Sequence, residues 1–334
     1  MEDDCQEIQY CFPNNSLSCF REIKHEVEYV ILYMFIFLLS VFTVFLNLLV
    51  IISISHFKQL HTPTNLLILS LAVADLIVGL IVIPLMGIKF IESCWYFGET
   101  FCSLFLFIAF MVVSASLGNL VFISVDLAVD RFVAVCHPLL YPQKITTTKT
   151  LIIVSLCWFC SSAYNIAIVM SLSHKKYACY GECTIMITSD WTVLNLFLSF
   201  LIPCTLIITL YLRIFYVAHQ QVKVINSLVK GGKHINESSV KRKSERKAAL
   251  TLGIIVTVYL VCWIPFFILS LTENTGMAST TAYILLWFLY INSGLNPLIY
   301  AFFYPWFKMS VKHILTLRIF QPESSMMDIF TDYH

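Results

Sequence analysis

The sequence has few charged residues. Asp, Glu, Lys and Arg account for 12% of its 334 residues, whereas hydrophobic residues account for 59%. Soluble domains carry about 25% charged residues, and the hydrophilic stretches of this chain are too short to cover its apolar segments in water. The scarcity of charge therefore excludes a soluble globular protein. We expect a membrane protein that is surrounded by lipid and has no nucleic-acid partner.

Other absences narrow the class of membrane protein. The last apolar run, 280–303, contains no lysine, which excludes a retinal protein with its Schiff-base lysine there. The sequence has no internal repeat, which argues against a secondary transporter. The histidines lie in loops or at the ends of apolar runs, without an HExxH motif, so no metal-dependent hydrolase is indicated. We therefore predict that the chain is not an enzyme and has no catalytic residue.

Seven apolar runs are each long enough to cross a bilayer as a helix, which takes about 20 residues. Because backbone groups inside lipid must satisfy one another, each run is predicted to be helical. The predicted fold class is an all-α membrane protein, a seven-transmembrane helix bundle with a short amphipathic C-terminal helix. The predicted domains are 1–28 (N-terminal segment), 29–303 (bundle) and 304–334 (amphipathic helix and tail). The spans, numbered one to seven, are 29–55, 65–89, 102–135, 147–172, 191–216, 247–271 and 280–303.

The distribution of basic residues predicts the orientation of the chain. With the N-terminus outside, 16 of the 21 Lys and Arg residues lie on the cytoplasmic side, as the positive-inside rule requires. The first 28 residues contain no apolar core of a signal peptide, so we expect no cleaved leader. The predicted location is the plasma membrane, with the N-terminus extracellular and the C-terminus cytoplasmic. The NNS sequence at Asn14 then predicts an extracellular glycosylation site.

Polar side chains occur at isolated positions within the apolar spans. Such groups are costly in lipid and usually mark function. Asp75, a carboxylate in mid-membrane, favours a cation or proton site, whereas Asn47 is equally consistent with interhelical hydrogen bonding for packing alone. Because hard cations prefer oxygen ligands, the set predicts a polar network that binds a sodium ion, and no other cofactor is expected. The network comprises Asn47, Asp75, Ser116, Asn292 and Asn296.

Proline interrupts four of the spans. A proline inside a helix removes one backbone hydrogen bond and kinks the helix. Kinks in several helices suit a bundle that changes shape, although transmembrane helices also tolerate proline for packing reasons. The prolines are Pro84, Pro203, Pro265 and Pro297.

Short motifs in or next to the spans resemble those of the rhodopsin-like G-protein-coupled receptors. They are LAVAD ending at Asp75, DRFVAVCHPLLYP at 130–142, CWIP at 262–265 and NPLIY at 296–300. Two further segments, SCWYFGETFC at 93–102 and YINSGLNPLIYAFFYPWF at 290–307, resemble the trace amine-associated receptors, of the fish type. The resemblance implies a receptor that senses a small ligand (an amine, a diamine or an odorant) and signals through a heterotrimeric G protein.

The resemblance also implies how the extracellular cysteines pair. Their location outside the cell allows disulfide bonds. In the resembled family the two cysteines of ACYGEC bond to different partners. The resemblance implies that Cys183 bonds Cys102 at the top of span three. Cys179 then ties down the N-terminal segment. Its implied partner is Cys19, with Cys5 and Cys11 as alternatives.

The residues that usually hold an amine are missing from the positions that the resemblance assigns to them. Amine receptors place an aspartate in span three, seven residues after the disulfide cysteine, because a desolvated cation needs a buried counter-charge. Here that position is Ala109, and counting back from Arg131 gives Val113 instead. Some fish relatives carry an aspartate eight residues before the proline of span five, where this chain has the neutral Asn195. Both usual anchors are therefore absent.

Other side chains near the extracellular end are candidates for ligand binding. The extracellular side has 12 acidic and 5 basic residues, and this charge attracts cations to the entrance. Each entrance carboxylate is also consistent with a solvated loop charge; the three are Glu182, Asp190 and Glu273. An aromatic wall below them can hold an apolar ligand body, or a cation through its ring faces. The wall comprises Trp263, Phe266, Phe267, Trp287 and Tyr290.

Two aspartates near the cytoplasmic end of span three are candidates for the aspartate of the Asp-Arg-aromatic motif. In the resembled family the aspartate of the Asp-Arg-aromatic motif follows the disulfide cysteine by 24 residues. Here that residue is Asp126, but the arginine follows Asp130. The resemblance therefore implies an insertion of four residues, either the LAVD unit at 127–130 or an equivalent shift along the sequence. Four residues lengthen a helix by about 6 Å, slightly more than one turn. Arg131 would then either project one turn deeper or be held level by a bulge.

This insertion bears directly on the signalling switch. The resemblance makes Glu245, at the foot of span six, the expected partner of Arg131, and an added turn takes the arginine away from it. The other implied switch residues are Tyr211 and Tyr300. The alternative function is therefore a receptor homologue with impaired or no G-protein signalling.

Overall fold

The computed structural model contains the predicted helices of the bundle. Among the residues that the structure describes, five helices are long and apolar enough to cross a membrane, and a shorter apolar helix lies at Thr257–Ile268. Within the helices, only the backbone is described at 127–136, 189–192, 199 and 280–283. The described residues are 9–21, 25–136, 146–172, 179–183, 189–206, 208–210, 212–213, 216, 254, 257–268, 280–321 and 324–327.

The helices follow the predicted spans closely, and the all-α class is confirmed. In spans four and seven the helix bounds coincide with the predicted ones, and in spans one, two and three the helix extends one to three residues beyond them. The amphipathic helix follows span seven after a break at Tyr304. The helices of spans one to four, of span seven and after it are Glu26–His56, Pro63–Ile91, Glu99–Cys136, Thr147–Leu172, Thr280–Phe303 and Pro305–Leu315.

Two of the prolines follow wide turns of π-helix. In span two the π turn Val78–Val82 precedes Pro84, and in span five the helix Ser189–Leu196 continues into the π turn Phe197–Leu201 before Pro203. The proline ring clashes with the carbonyl group one turn earlier, and an extra residue in that turn gives the ring room. The interruption predicted for these two spans is therefore a local widening of the helix.

Buried apolar residues form two clusters, one in each half of the bundle. Span two packs against spans one, three and four, and span one packs against span seven. The Trp158 Nε1 atom of span four donates to the Ser70 Oγ atom of span two over 3.0 Å. The lower cluster includes Val50, Leu71, Leu120, Ile299, Tyr300 and Trp306, and the upper cluster includes Val82, Met86, Cys102, Phe105, Ala109 and Tyr290.

The outer face of span one consists of exposed apolar side chains. Val27 and Phe37 are 68% and 60% exposed, in a helix that contains no charged residue between Glu28 and His56. So much apolar surface is stable only where water is absent. This face of the bundle therefore contacts membrane lipid.

Candidate functional site

Two disulfide bonds hold the second extracellular loop. Cys102, at the top of span three, is bonded to Cys183, and both are almost fully buried. Cys19 of the N-terminal segment is bonded to Cys179. These are the pairs that the resemblance implies. The loop is therefore attached both to the bundle below it and to the N-terminal segment above it.

A third disulfide bond was not expected from the sequence. It joins Cys11 to Cys94, which precedes span three. Cys11 as the partner of Cys179 is therefore wrong, and Cys5 lies outside the described residues. The sequence contained an indication of this bond. After the two implied pairs, Cys94 remained without a partner on the same side of the membrane as Cys5 and Cys11.

Backbone hydrogen bonds connect the three extracellular segments that the disulfides join. The Cys11 amide donates to the Cys19 carbonyl over 2.9 Å, which closes the N-terminal segment into a hairpin. The Cys19 amide donates to the Tyr180 carbonyl over 3.0 Å, and the Trp95 amide donates to the Gly181 carbonyl over 2.7 Å. We call the resulting unit the extracellular cap. It consists of residues 9–21, 93–98 and 179–183.

Gly181 shows why the loop carries a glycine between its two cysteines. Its φ is +95°, a left-handed conformation that side chains rarely adopt. A Cβ atom at this position would lie 2.8 Å from Cε2 of Phe12, and Phe12 packs edge-on against Tyr180 with ring centroids 4.9 Å apart. The glycine thus lets the N-terminal segment lie directly on the loop.

Asn14 lies at the turn of the N-terminal hairpin and is exposed. The Asn15 amide donates to the Phe12 carbonyl over 3.0 Å, and the Leu17 amide donates to the Asn15 side chain over 3.0 Å. The predicted glycosylation site is sterically open.

The aromatic wall divides into two groups, one on span six and one on span seven. In span six Trp263 stacks on Phe267, with ring centroids 5.8 Å apart, and Phe266 meets Phe267 edge-on. In span seven Trp287 meets Tyr290 edge-on at 5.8 Å. The five predicted residues are thus brought together as two contacting sets, one on each of two adjacent spans.

A small cavity lies between these two aromatic groups. Its volume is about 20 Å³, which is room for one water molecule or ion and not for an amine with an apolar body. Its lining includes Asp75, Val113, Ser116, Trp263, Tyr290 and Asn292. Two residues of the predicted aromatic wall, Trp263 and Tyr290, therefore border the same space as four residues of the predicted polar network: Asp75, Ser116, Asn292 and Asn296.

Asp75 joins spans two and seven beneath the aromatic wall. Its Oδ2 atom accepts a hydrogen bond from Asn296 Nδ2 over 2.8 Å, and Asp75 is 1% exposed. Ser116 and Ser293 face the same carboxylate. The buried Ser116 hydroxyl has no hydrogen-bond partner at bonding distance in the described part of the chain. The network therefore offers oxygen atoms that the protein itself leaves unused.

Asn47 ties span one to the same region. Its Nδ2 atom donates to the Ser293 carbonyl over 3.0 Å, while its Oδ1 atom is buried without a partner among the described residues. Ser293, which the sequence reasoning did not single out, is therefore the link between Asn47 and Asp75. Its neighbours Asn292 and Asn296, both in the predicted network, could have indicated it.

The residue at the position of the missing aspartate, Ala109, is packed in the protein interior. Ala109 is 5% exposed and lies in the upper cluster with Tyr290. None of the described residues forms a hydrogen bond with the Tyr290 hydroxyl. Val113 lines the small cavity one turn below, and Asn195 is half-buried and already has a bonding partner. No carboxylate of the described residues replaces the absent anchor at this depth.

Of the three entrance carboxylates, only Glu182 has a described side chain. It belongs to the extracellular cap, where its Oε2 atom lies 3.9 Å from Cys179 Sγ. Glu273 and the side chain of Asp190 lie outside the described residues. Of the three candidates, Glu182 is therefore the one that the structure places in the extracellular cap.

At the cytoplasmic end, Asp126 is bonded to span two. Its Oδ2 atom accepts a hydrogen bond from Thr64 Oγ1 over 2.6 Å. The helix of span three continues as α-helix from Glu99 to Cys136, so of the two alternatives the structure has the lengthened helix and not the bulge. The backbone of Asp130 and Arg131 lies in this added stretch. Their side chains, Tyr211 and Glu245 lie outside the described residues, whereas Tyr300 is buried beside the lower cluster.

Removing the LAVD insertion is expected to strengthen signalling. Deletion of residues 127–130 places Arg131 directly after Asp126, whose bond to Thr64 holds the register of the helix. It withdraws the arginine by about 6 Å along the axis of span three, to the level that the resemblance implies for it. We expect a severalfold higher maximal G-protein activation at equal surface staining. Deletion of 131–134, equal in length, is the control and should remove activation. Equal or weaker signalling after the 127–130 deletion would show that the added turn does not impair the switch.

Comparison with known proteins agrees with this arrangement. Residues 46–300 match the family described as 7 transmembrane receptor (rhodopsin family). The chain is 42% identical to trace amine-associated receptor 13c of Danio rerio, over 97% of this chain and 96% of that protein. It is 42% identical to trace amine-associated receptor 8a of Rattus norvegicus, over 97% of each, and 39% identical to trace amine-associated receptor 9 of Mus musculus, over 97% and 96%. The similarity thus covers nearly the whole chain.

Proposed function

Because the chain belongs to the trace amine-associated receptors, which are rhodopsin-like G-protein-coupled receptors, we propose that it binds a small amine-like ligand outside the cell and activates a heterotrimeric G protein inside it. The observation that carries this proposal is the arrangement of side chains in the bundle interior beneath the cap. There Trp263 and Tyr290 of the aromatic wall line a small cavity together with Asp75 and Asn296, which are hydrogen-bonded to each other. A ligand that displaces Trp263 would disturb the contacts between spans two, six and seven.

The proposed orientation places the cap outside the plasma membrane. The three disulfide bonds lie at one end of the bundle, and disulfide bonds persist in an oxidising compartment. Most of the basic residues belong to the other end, as the positive-inside rule requires of the cytoplasmic side. The N-terminus is therefore extracellular and the C-terminus cytoplasmic.

The proposed cofactor is one sodium ion at Asp75. The carboxylate, the unpartnered Ser116 hydroxyl and the side chains of Asn292 and Asn296 present oxygen atoms around a cavity of ion size. Hard cations select such ligands, and the carboxylate supplies the compensating charge. The bound ion would favour the arrangement in which spans two, three and seven surround it, so it should oppose activation by an agonist.

Replacing Asp75 with asparagine is expected to remove the sodium dependence of agonist affinity. The amide keeps the shape of the side chain but removes the charge that a cation needs. Agonist affinity is measured in membranes with sodium and, at equal ionic strength, with N-methyl-D-glucamine instead. The control is Asn165→Ala, which removes a buried amide of span four outside the network and should retain the sodium effect. An unchanged sodium effect in the Asp75 variant would rule the site out.

The function is tested by G-protein activation in transfected cells. Cells expressing the full chain are exposed to a panel of monoamines, diamines and odorant amines. Activation is read with Gα sensors for each G-protein class, and staining of unpermeabilised cells measures surface expression. We expect activation by at least one amine. A chain that reaches the surface but activates no G protein with any of them would contradict the proposal and favour the non-signalling homologue.

A further inference from the structure

The chain turns back on itself after the amphipathic helix. The helix Pro305–Leu315 is followed by Leu317, whose φ of +57° lies in the left-handed region that leucine rarely adopts. Two short 3₁₀ turns follow, at Arg318–Phe320 and Ser324–Met326. A strained backbone of this kind persists only where the surrounding structure holds it. Because Leu317 itself is 66% exposed, contacts made by the residues after it must hold the reversal.

These contacts are hydrogen bonds to the short loop between spans one and two. The Ser324 Oγ atom lies 3.0 Å from Nε2 of His56, the last residue of span one, and it donates to the Ile319 carbonyl over 2.7 Å. A hydroxyl group has one proton to donate, so His56 Nε2 is the donor of the first bond. Gln59 Nε2 donates to the Met327 carbonyl over 3.0 Å. We call this contact the tail clasp. It consists of His56 and Gln59 on one side and residues 319–321 and 324–327 on the other.

The loop that receives the tail is connected to span three. The Leu60 carbonyl accepts a hydrogen bond from Asn65 Nδ2 over 2.9 Å, which fixes the loop to the first turn of span two. Both residues are buried. The preceding residue, Thr64, donates to Asp126 over 2.6 Å. The tail clasp is therefore one end of a series of contacts whose other end is the aspartate that the resemblance places in the signalling switch.

We propose that the tail clasp is an intramolecular contact that favours the inactive arrangement of the receptor. The inference rests on the proposed function, because it concerns the regulation of that receptor. The clasp is formed in an arrangement whose interior cavity, about 20 Å³ in volume, has no room for an amine, so an agonist must change this arrangement. A contact that is made in only one of two arrangements shifts the equilibrium toward that arrangement. The C-terminal segment thus opposes activation from the end of the bundle opposite to the extracellular cap.

Breaking the clasp is expected to raise G-protein activation in the absence of any ligand. The loss of one neutral hydrogen bond changes an equilibrium constant by about two- to tenfold, and the basal response of a mostly inactive receptor rises by the same factor. Ser324→Ala removes both bonds of the hydroxyl and should raise basal activation by this amount. The matched control is Ser325→Ala. The side chain of Ser325 forms no hydrogen bond with the residues that the structure describes, so its loss should have no effect.

Two replacements of His56 separate the hydrogen bond from the packing of the ring. Both remove the ring that meets Phe57 edge-on, with ring centroids 4.9 Å apart. Glutamine carries an N–H donor at about the distance of imidazole Nε2 from the backbone, whereas the shorter asparagine does not reach Ser324. We expect His56→Asn to raise basal activation as Ser324→Ala does, and His56→Gln to keep it near the wild-type level. Equal effects of the two variants would overturn the inference.

Shortening the chain tests the C-terminal segment as a whole. A chain that ends at residue 323 lacks Ser324 and Met327, and its basal activation should equal or exceed that of Ser324→Ala. A chain that ends at residue 327 retains both contacts and should behave as the wild type. Basal activation is measured with the same Gα sensors and divided by the surface staining of unpermeabilised cells. An unchanged basal response of the shorter chain would overturn the inference.

Cross-linking detects the clasp without a signalling readout. Gln59→Cys and Met327→Cys are combined in the full chain and joined with a short bismaleimide, and a protease site inserted in 217–246 then divides the chain. The three disulfide bonds lie within residues 1–183, so only the cross-link keeps the two fragments together on a denaturing gel. We expect a cross-link in the double variant and none in either single variant. Its absence would overturn the inference, whereas activation by the amine panel decides separately whether the proposed function stands.

Discussion

Replacing Ala109 with aspartate is expected to lower the half-maximal concentration of a simple primary amine such as phenethylamine by about 10- to 100-fold. A buried hydrogen bond to a charged group contributes about 1.5–3 kcal/mol, and each 1.4 kcal/mol corresponds to about tenfold in affinity. Ala109 is buried beside Tyr290, whose hydroxyl forms no hydrogen bond with the described residues. That hydroxyl can donate to the new carboxylate and orient it toward the ligand.

The control for this gain is Ala109→Asn, which has the same size without the charge and should bring no improvement. Asn195→Asp places the carboxylate at the other usual position and should improve the response to small amines as well. In the wild type an amine can reach only carboxylates at the mouth, where water screens the pair and the interaction contributes about 0–1 kcal/mol. A submicromolar response of the wild type to a simple monoamine, unchanged by neutralising Glu182, Asp190 and Glu273, would contradict this account.

Replacing Cys183 with serine is expected to abolish surface expression or the ligand response. The Cys102–Cys183 bond joins the second extracellular loop to span three, and both residues are buried, at 1% and 2% exposure. Loss of a native disulfide bond typically costs about 2–5 kcal/mol. Surface staining and G-protein activation together measure the effect.

The control for the disulfide is Cys160→Ser. Cys160 is free and exposed on span four, so its replacement should change neither surface staining nor activation. Cys102→Ser should reproduce the loss seen with Cys183→Ser, because either change breaks the same bond. Normal expression and normal response of the Cys183 variant would refute the assignment of this bond as indispensable.

The sequence by itself determined the helices and the order in which they cross the membrane. An apolar run of bilayer length has few alternatives to a helix, because lipid offers no partner for its backbone groups. This condition is local, and for that reason the bounds of spans four and seven coincide with the prediction. Asp75 and Asn296 were predicted for a related reason. Polar groups inside the same apolar environment can satisfy one another only by meeting, and in the structure they do.

Only the tertiary structure decided which distant residues meet outside the apolar runs. Cys11 bonds Cys94 because the N-terminal hairpin lies flat on the second loop, and no local pattern distinguishes this pair from Cys5 with Cys94. Asp126 is hydrogen-bonded to Thr64 of span two, although Asp130 is the aspartate that precedes the arginine. In these regions water can satisfy every polar group, so composition alone does not favour one partner over another. The pairing follows from where the packed helices bring the chain.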